Sequence, residues 1–185
     1  DGVGWVGSSD TWSLEVYAVD IDPPVVSLIS PSNNQYINSS SVLFEYLVEG
    51  VSEIDNCSLF IDNEINTTNF DVARFSTVNF SVSGFVEDSF NWSVQCFDST
   101  AEPQSGNSSA RNFFVDLTNP LITLNSPSNN VWLNTNSVNF NFFVFDTNLD
   151  GCALYTNESG VFEQRQTLSN PINNDNNVIS GSLNN

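Results

Sequence analysis

The chain has no histidine, no lysine and no methionine, and its only side-chain cations are Arg74, Arg111 and Arg165. Without an imidazole it lacks the usual general base for a serine or cysteine nucleophile and the commonest metal ligand. Three cations stand against 22 acids in 185 residues, a formal net charge of −19. Such a surface repels phosphate and excludes nucleic acid as a partner, so the acidity reads as a device for solubility. The polar excess is Asn and Ser rather than Asp and Glu, which argues against a salt-loving source. No run approaches the roughly 18 apolar residues a membrane helix needs, no signal-peptide pattern opens the chain, and no stretch carries helical spacing.

What the sequence has in abundance is repetition. The segment Val26-Ser-Leu-Ile-Ser-Pro-Ser-Asn-Asn-Gln-Tyr-Ile-Asn38 returns as Ile122-Thr-Leu-Asn-Ser-Pro-Ser-Asn-Asn-Val-Trp-Leu-Asn134, an offset of 96 residues. Asp20 and Asp116, Pro24 and Pro120, Val42 and Val138, and Phe44 and Phe140 keep that offset; Cys57 meets Cys152 after one deletion. A period this long is the length of an independent domain rather than of a solenoid repeat. The expected organisation is the C-terminal strand or strands of a preceding repeat in residues 1–20, a complete domain in 21–116 and an incomplete second repeat in 117–185. On this reading the chain is a window on a longer protein.

Within the repeat the pattern alternates with period two. Val42, Phe44, Tyr46 and Val48 remain apolar in the second copy as Val138, Phe140, Phe142 and Val144, whereas Leu43 and Glu45 become Asn139 and Asn141. The first set therefore marks the inner face of a strand. Seven strands are expected in the complete repeat: Val25 to Ser30, Val42 to Val48, Asn56 to Ile61, a weak one near Ile65 to Val72, Phe75 to Val82, Ser89 to Phe97 and Ser109 to Val115. Turn chemistry at Pro31-Ser-Asn-Asn34, Ser83-Gly84 and Pro103-Gln-Ser-Gly-Asn107 separates them. Closely spaced strands with no intervening helix indicate an antiparallel sandwich. The joints Val19-Asp-Ile-Asp-Pro-Pro24 and Val115-Asp-Leu-Thr-Asn-Pro120 carry prolines that stiffen the connection, so a string of such units would be an extended rod.

The Asp-x-x-x-Pro joint, the first strand ending in Ser-Pro, the Cys57-Ser-Leu strand and the strand Phe90-Asn-Trp-Ser-Val-Gln-Cys-Phe-Asp98 together resemble the immunoglobulin-like repeats of bacterial and archaeal surface proteins. The first three recur in the second copy. The resemblance implies an all-β chain of tandem antiparallel immunoglobulin-like β-sandwiches.

Cys57 shares its face with Leu59 and Ile61, and Cys96 with Phe90, Trp92 and Val94. In such a sandwich the third and sixth strands are neighbours, so a Cys57–Cys96 disulfide is expected; two buried thiols are the alternative. Cys152, the counterpart of Cys57, then expects a partner near position 191. Seven Asn-x-Ser/Thr sequons begin at Asn38, Asn56, Asn66, Asn79, Asn91, Asn107 and Asn157. Asn38 and Asn107 fall in expected loops, and Asn79 and Asn91 on faces opposite the core, where glycans would meet solvent. In an Asn-rich chain chance sequons are the competing explanation. A disulfide with glycans points to an extracellular, cell-surface location.

Asp20, Asp22, Asp98 and Asp116 sit at strand ends near the joints and are weak candidates for calcium, with ordinary turn aspartates as the simpler reading; no other cofactor is indicated. Trp132 and Tyr36 are the aromatic candidates for exposure, serving inter-domain packing or sugar stacking. The pattern favours a non-catalytic structural or adhesive rod, assembling into a filament or surface layer. Its partners would be neighbouring repeats, copies of itself, glycans or another cell surface. A carbohydrate- or ligand-binding accessory module of a larger secreted protein is the alternative. No nucleophile elbow, phosphate loop or metal cluster supports an enzyme.

Overall fold

The computed structural model describes residues 21–183, and every regular element among them is a strand. The first nine are β1 (Val25–Ser30), β2 (Gln35–Ile37), β3 (Ser41–Glu49), β4 (Ile54–Ile61), β5 (Glu64–Asn69), β6 (Thr77–Ser83), β7 (Asp88–Asp98), β8 (Ser105–Asn107) and β9 (Arg111–Val115). They form two sheets, one ordered β1-β3-β6 and the other β2-β9-β7-β4-β5. All pairings are antiparallel except β2 with β9, which is parallel. β8 and β9 lie on the same edge of β7, one against Gln95–Phe97 and the other against Asp88–Trp92. They are two halves of one strand interrupted at Ser108, whose backbone and hydroxyl both bond Val94 at 2.9 Å.

β8 occupies a stretch that the sequence marks as turn, and β2 follows one directly, where no strand is expected. The first Ser-Pro-Ser-Asn-Asn segment, Ser30 to Asn34, is the place where the chain leaves one sheet for the other. β1 pairs with β3; after Pro31 the chain crosses over, and β2 pairs with β9. Asn34 takes a left-handed backbone (φ 63°), which Asn tolerates better than most residues. Its N–H donates to Asn112 O at 2.7 Å, and Asn33 Oδ1 accepts from Asn112 N–H at 2.9 Å. Arg111 donates to the carbonyls of Ile29 and Pro31 at 3.0 and 3.1 Å. These bonds satisfy backbone groups that the crossover would otherwise strand.

The core lies between the two sheets, as alternation requires. Val42, Phe44, Tyr46 and Val48 of β3 face Leu59, Trp92, Val94, Phe113 and Val115, all buried. Phe44 sits 5.1 Å from Trp92 and 5.4 Å from Phe113, centroid to centroid, in tilted and edge-on contacts that aromatic quadrupoles favour. Tyr46 stacks on Phe80 at 5.4 Å. The Tyr46 hydroxyl and Trp92 Nε1 are buried with no hydrogen-bond partner, and burial pushes the Tyr46 phenol far above its ordinary range.

At one pole Gly106 of β8 lies against the backbone of the proline joint. A Cβ there would stand 1.7 Å from the Pro24 carbonyl oxygen and 2.7 Å from its carbon. Backbone cannot rotate aside as a flexible side chain does, so the contact admits only glycine. Gly106→Ala is expected to lower unfolding free energy by about 2–3 kcal/mol, measured from urea midpoints; an unchanged midpoint would show that the joint is not packed here.

The remaining strands are β10 (Leu121–Ser126), β11 (Ser137–Phe145), β12 (Gly151–Thr156), β13 (Glu163–Ser169) and β14 (Asp175–Ser182). They pair among themselves in the orders β10-β11-β14 and β12-β13. The β10–β11 ladder repeats β1–β3 residue for residue. Ile122 opposes Val144 as Val26 opposes Val48, and the register shifts after Leu124 as it does after Leu28. The β11–β14 ladder repeats β3–β6, with Phe140 opposite Ile179 as Phe44 is opposite Phe80. Residues 157–162 make a longer turn between β12 and β13 than residues 62–63 make between β4 and β5, so the offset becomes 99 from β13 onward.

Burial differs between the two sets. β4 is flanked by β5 and β7, whereas β12 pairs with β13 and with no other strand among the described residues. Val26 and Leu28 pack on the first core; their counterparts Ile122 and Leu124 are 52% and 82% exposed.

Candidate functional site

The structure joins Cys57 and Cys96 in a disulfide between residues 39 apart in sequence. They are directly opposed on the antiparallel neighbours β4 and β7, with Cα atoms 4.0 Å apart and neither residue exposed. The bond therefore lies within one sheet, beside Leu59, Val94 and Trp92, rather than between the sheets. Cys152 is a free thiol, buried at the corresponding place on β12, and burial pushes its pKa up. A protonated thiol is a poor nucleophile at neutral pH.

Among the described residues no group of three or more His, Cys, Asp or Glu side chains could hold a metal ion. Asp20 lies outside the described residues. Asp116 accepts from Thr118 N–H at 3.2 Å. Asp98, 2% exposed, organises the turn after β7. Its Oδ1 accepts from the Thr100 hydroxyl at 2.7 Å, Thr100 N–H at 3.2 Å and Gln104 N–H at 3.0 Å. Burial acts to raise the Asp98 pKa, but these hydrogen bonds outweigh it and hold the carboxyl below its usual range.

A carboxyl depressed in the folded state stabilises the fold above its unfolded pKa, and that contribution is lost as pH falls through the folded pKa. Acid titration should thus destabilise the protein below the ordinary carboxylate range. Asp98→Asn is expected to lose about 1–2 kcal/mol at neutral pH and to lie closer to the parent in acid. Parallel melting curves at pH 7 and in acid check this; a pH-independent gap would contradict it.

The seven sequons separate by environment. Asn38 follows β2, Asn66 lies on the outer strand β5, Asn79 on β6, Asn107 on β8 and Asn157 in the turn after β12; all five are exposed. Asn56 and Asn91 are half-buried. The acceptor motif at Asn56 runs through the bridged Cys57 to Ser58, 7% exposed with its hydroxyl 2.8 Å from that of Thr68. The Asn91 amide, expected to face solvent, instead donates to Asp62 Oδ1 at 3.1 Å. Strand parity places Asn91 opposite the core but does not reveal the β4–β5 turn that folds over it.

Tyr36, half of a pair with Phe114 at 4.8 Å, has one ring face covered. Its counterpart Trp132 is 97% exposed. Residues 131–133 form no strand, although the equivalent Gln35–Ile37 is β2, because β2 exists only by pairing with β9. Above β12 an apolar groove of about 470 Å³ is lined by Ile122, Leu124, Phe140, Phe142, Leu154 and Ile179 among others. Sequence reasoning singled out neither this groove nor the Asn33, Asn34 and Arg111 clamp. The identical Asn-Asn pairs were the available signal for the clamp.

No family model matches the chain, and no curated protein does. Among solved structures, the chain is similar to the fibronectin(III)-like modules of Clostridium thermocellum CbhA. The TM-score is 0.52 at 10% identity, over 84% of this chain and 78% of that one. Identity that low speaks to fold alone. With its sheets, this likeness identifies an all-β protein of the immunoglobulin-like sandwich fold.

Proposed function

We propose that the chain is a segment of a non-catalytic, extracellular rod of tandem immunoglobulin-like domains with a structural or adhesive role at a cell surface. Residues 21–116 are one complete domain, and 117–185 belong to a second copy. The observation that carries this reading is the repeated ladder: β1–β3 and β10–β11 share pairing, register and irregularity at one fixed offset. A protein that copies a whole sandwich adds length rather than a new site. The buried disulfide and five exposed sequons suit an oxidising compartment. Electron microscopy of the native particle tests the proposal. Extended rods, filaments or a lattice are expected; a compact, monodisperse particle would refute it.

The binding-module alternative rests on one observation, the exposed indole of Trp132. It predicts that Trp132→Ala abolishes glycan binding on an array. Absence of binding by the parent chain, or binding unaffected by the substitution, would discard it.

A further inference from the structure

In the β1–β9 sandwich, what covers the face equivalent to the β12 groove is known in detail. β7 runs antiparallel along β4 and sets Cys96 opposite Cys57 and Val94 opposite Leu59. β9 runs beside β7, places Phe113 on Phe44, and carries Phe114, on which Tyr36 stacks. The counterparts of Cys57, Leu59, Phe44 and Tyr36 are Cys152, Leu154, Phe140 and Trp132. Three of these line the groove and the fourth is bare. Among the described residues, a free strand edge, an apolar groove, an unbridged thiol and an uncovered indole thus share one face.

We infer that this groove is the seat of a β7–β9-like strand pair supplied by polypeptide following β14. Its first strand carries a cysteine that bridges Cys152, and its second covers Trp132. The inference rests on the tandem-copy reading above. The path is short: four residues, 84–87, connect β6 to β7. The pairing of β11 with β14 fixes the offset at 99 in this region, which moves the expected cysteine from position 191 to 195. The bridge forms when the two thiols give up two protons and two electrons to oxidised glutathione, which leaves as two molecules of reduced glutathione.

The test extends the full chain after Asn185 with a copy of its own residues 87–116, which preserves this register, and refolds it in a glutathione redox buffer. Peptide mapping should find Cys152 linked to the cysteine of the added segment. Alkylation of Cys152 should fall by about tenfold or more relative to the unextended chain. The Trp132 contribution to fluorescence, taken by difference with Trp132→Phe, should shift to shorter wavelength. A second extension whose cysteine is serine should keep the fluorescence shift and lose the link. An extended chain that leaves Cys152 alkylatable and the Trp132 emission unmoved overturns the inference. So does an unextended chain that self-associates with the groove protected, because a second copy would then be the occupant. Neither readout depends on filament formation, so failure of the rod proposal and failure of this one are separable.

Discussion

Replacing Cys57 and Cys96 together with alanine is expected to lower the stability of the β1–β9 sandwich by about 4 kcal/mol, the loop-entropy value for closing some 40 residues. The bond ties the middle of β4 to the C-terminal part of β7, strands that meet only after the chain has passed through β5 and β6. In the unfolded chain it removes conformations that span this loop; in the folded chain it adds little strap, since the ladder already holds the strands. Alanine avoids leaving serine hydroxyls in a site with no exposure. Urea denaturation of the parent with and without reductant, beside the double variant, measures the effect. Reduced parent and variant should agree closely and fall well below the oxidised parent. A loss under about 1 kcal/mol would mean that the unfolded state is already compact around this loop.

Trp92→Ala is expected to cost about 3–5 kcal/mol, the range for emptying a large aromatic site. Trp92 has no exposed surface and meets Phe44 of the facing sheet, so its removal opens the interface between the sheets rather than one edge. Its Nε1 has no partner, so no hydrogen bond is lost with it and the penalty is one of packing. Trp92→Phe should therefore recover most of the loss, because it keeps much of the contact and deletes an unpaired buried donor. Thermal melts of both variants check the order. If phenylalanine were as damaging as alanine, the indole nitrogen would have a role in the fold. Against a typical total of 5–15 kcal/mol, the alanine variant in reductant should melt far below the oxidised parent.

The architecture was readable because its signal is local and repeated. The inner faces of β3 and β7 follow alternation, and comparing Val42–Val48 with Val138–Val144 identifies the buried side within one sequence. Short strands escaped because their cause is remote. β2 is a strand only where β9 lies beside it, and β8 only against β7. Phe75, expected to begin a strand, instead has φ of 57° and lies exposed with Arg74 5.6 Å from its ring. Its apolar character cannot report that the turn before β6 points it outward. The same limit applies to β10, whose sequence reads like β1 while all its residues are exposed. Burial there depends on what lies opposite, which alternation does not encode. The alternation also says nothing of Asp98, whose Oδ1 holds the turn that follows it.

The central claim is that one sandwich unit is written twice, and cross-strand NOEs between backbone protons test it most directly. The account predicts contacts between Val26 and Val48 and, in the same spectrum, between Ile122 and Val144, with both ladders shifting register before the Ser-Pro pair. Finding the first pair while Ile122 contacts a different strand, or none, would contradict it.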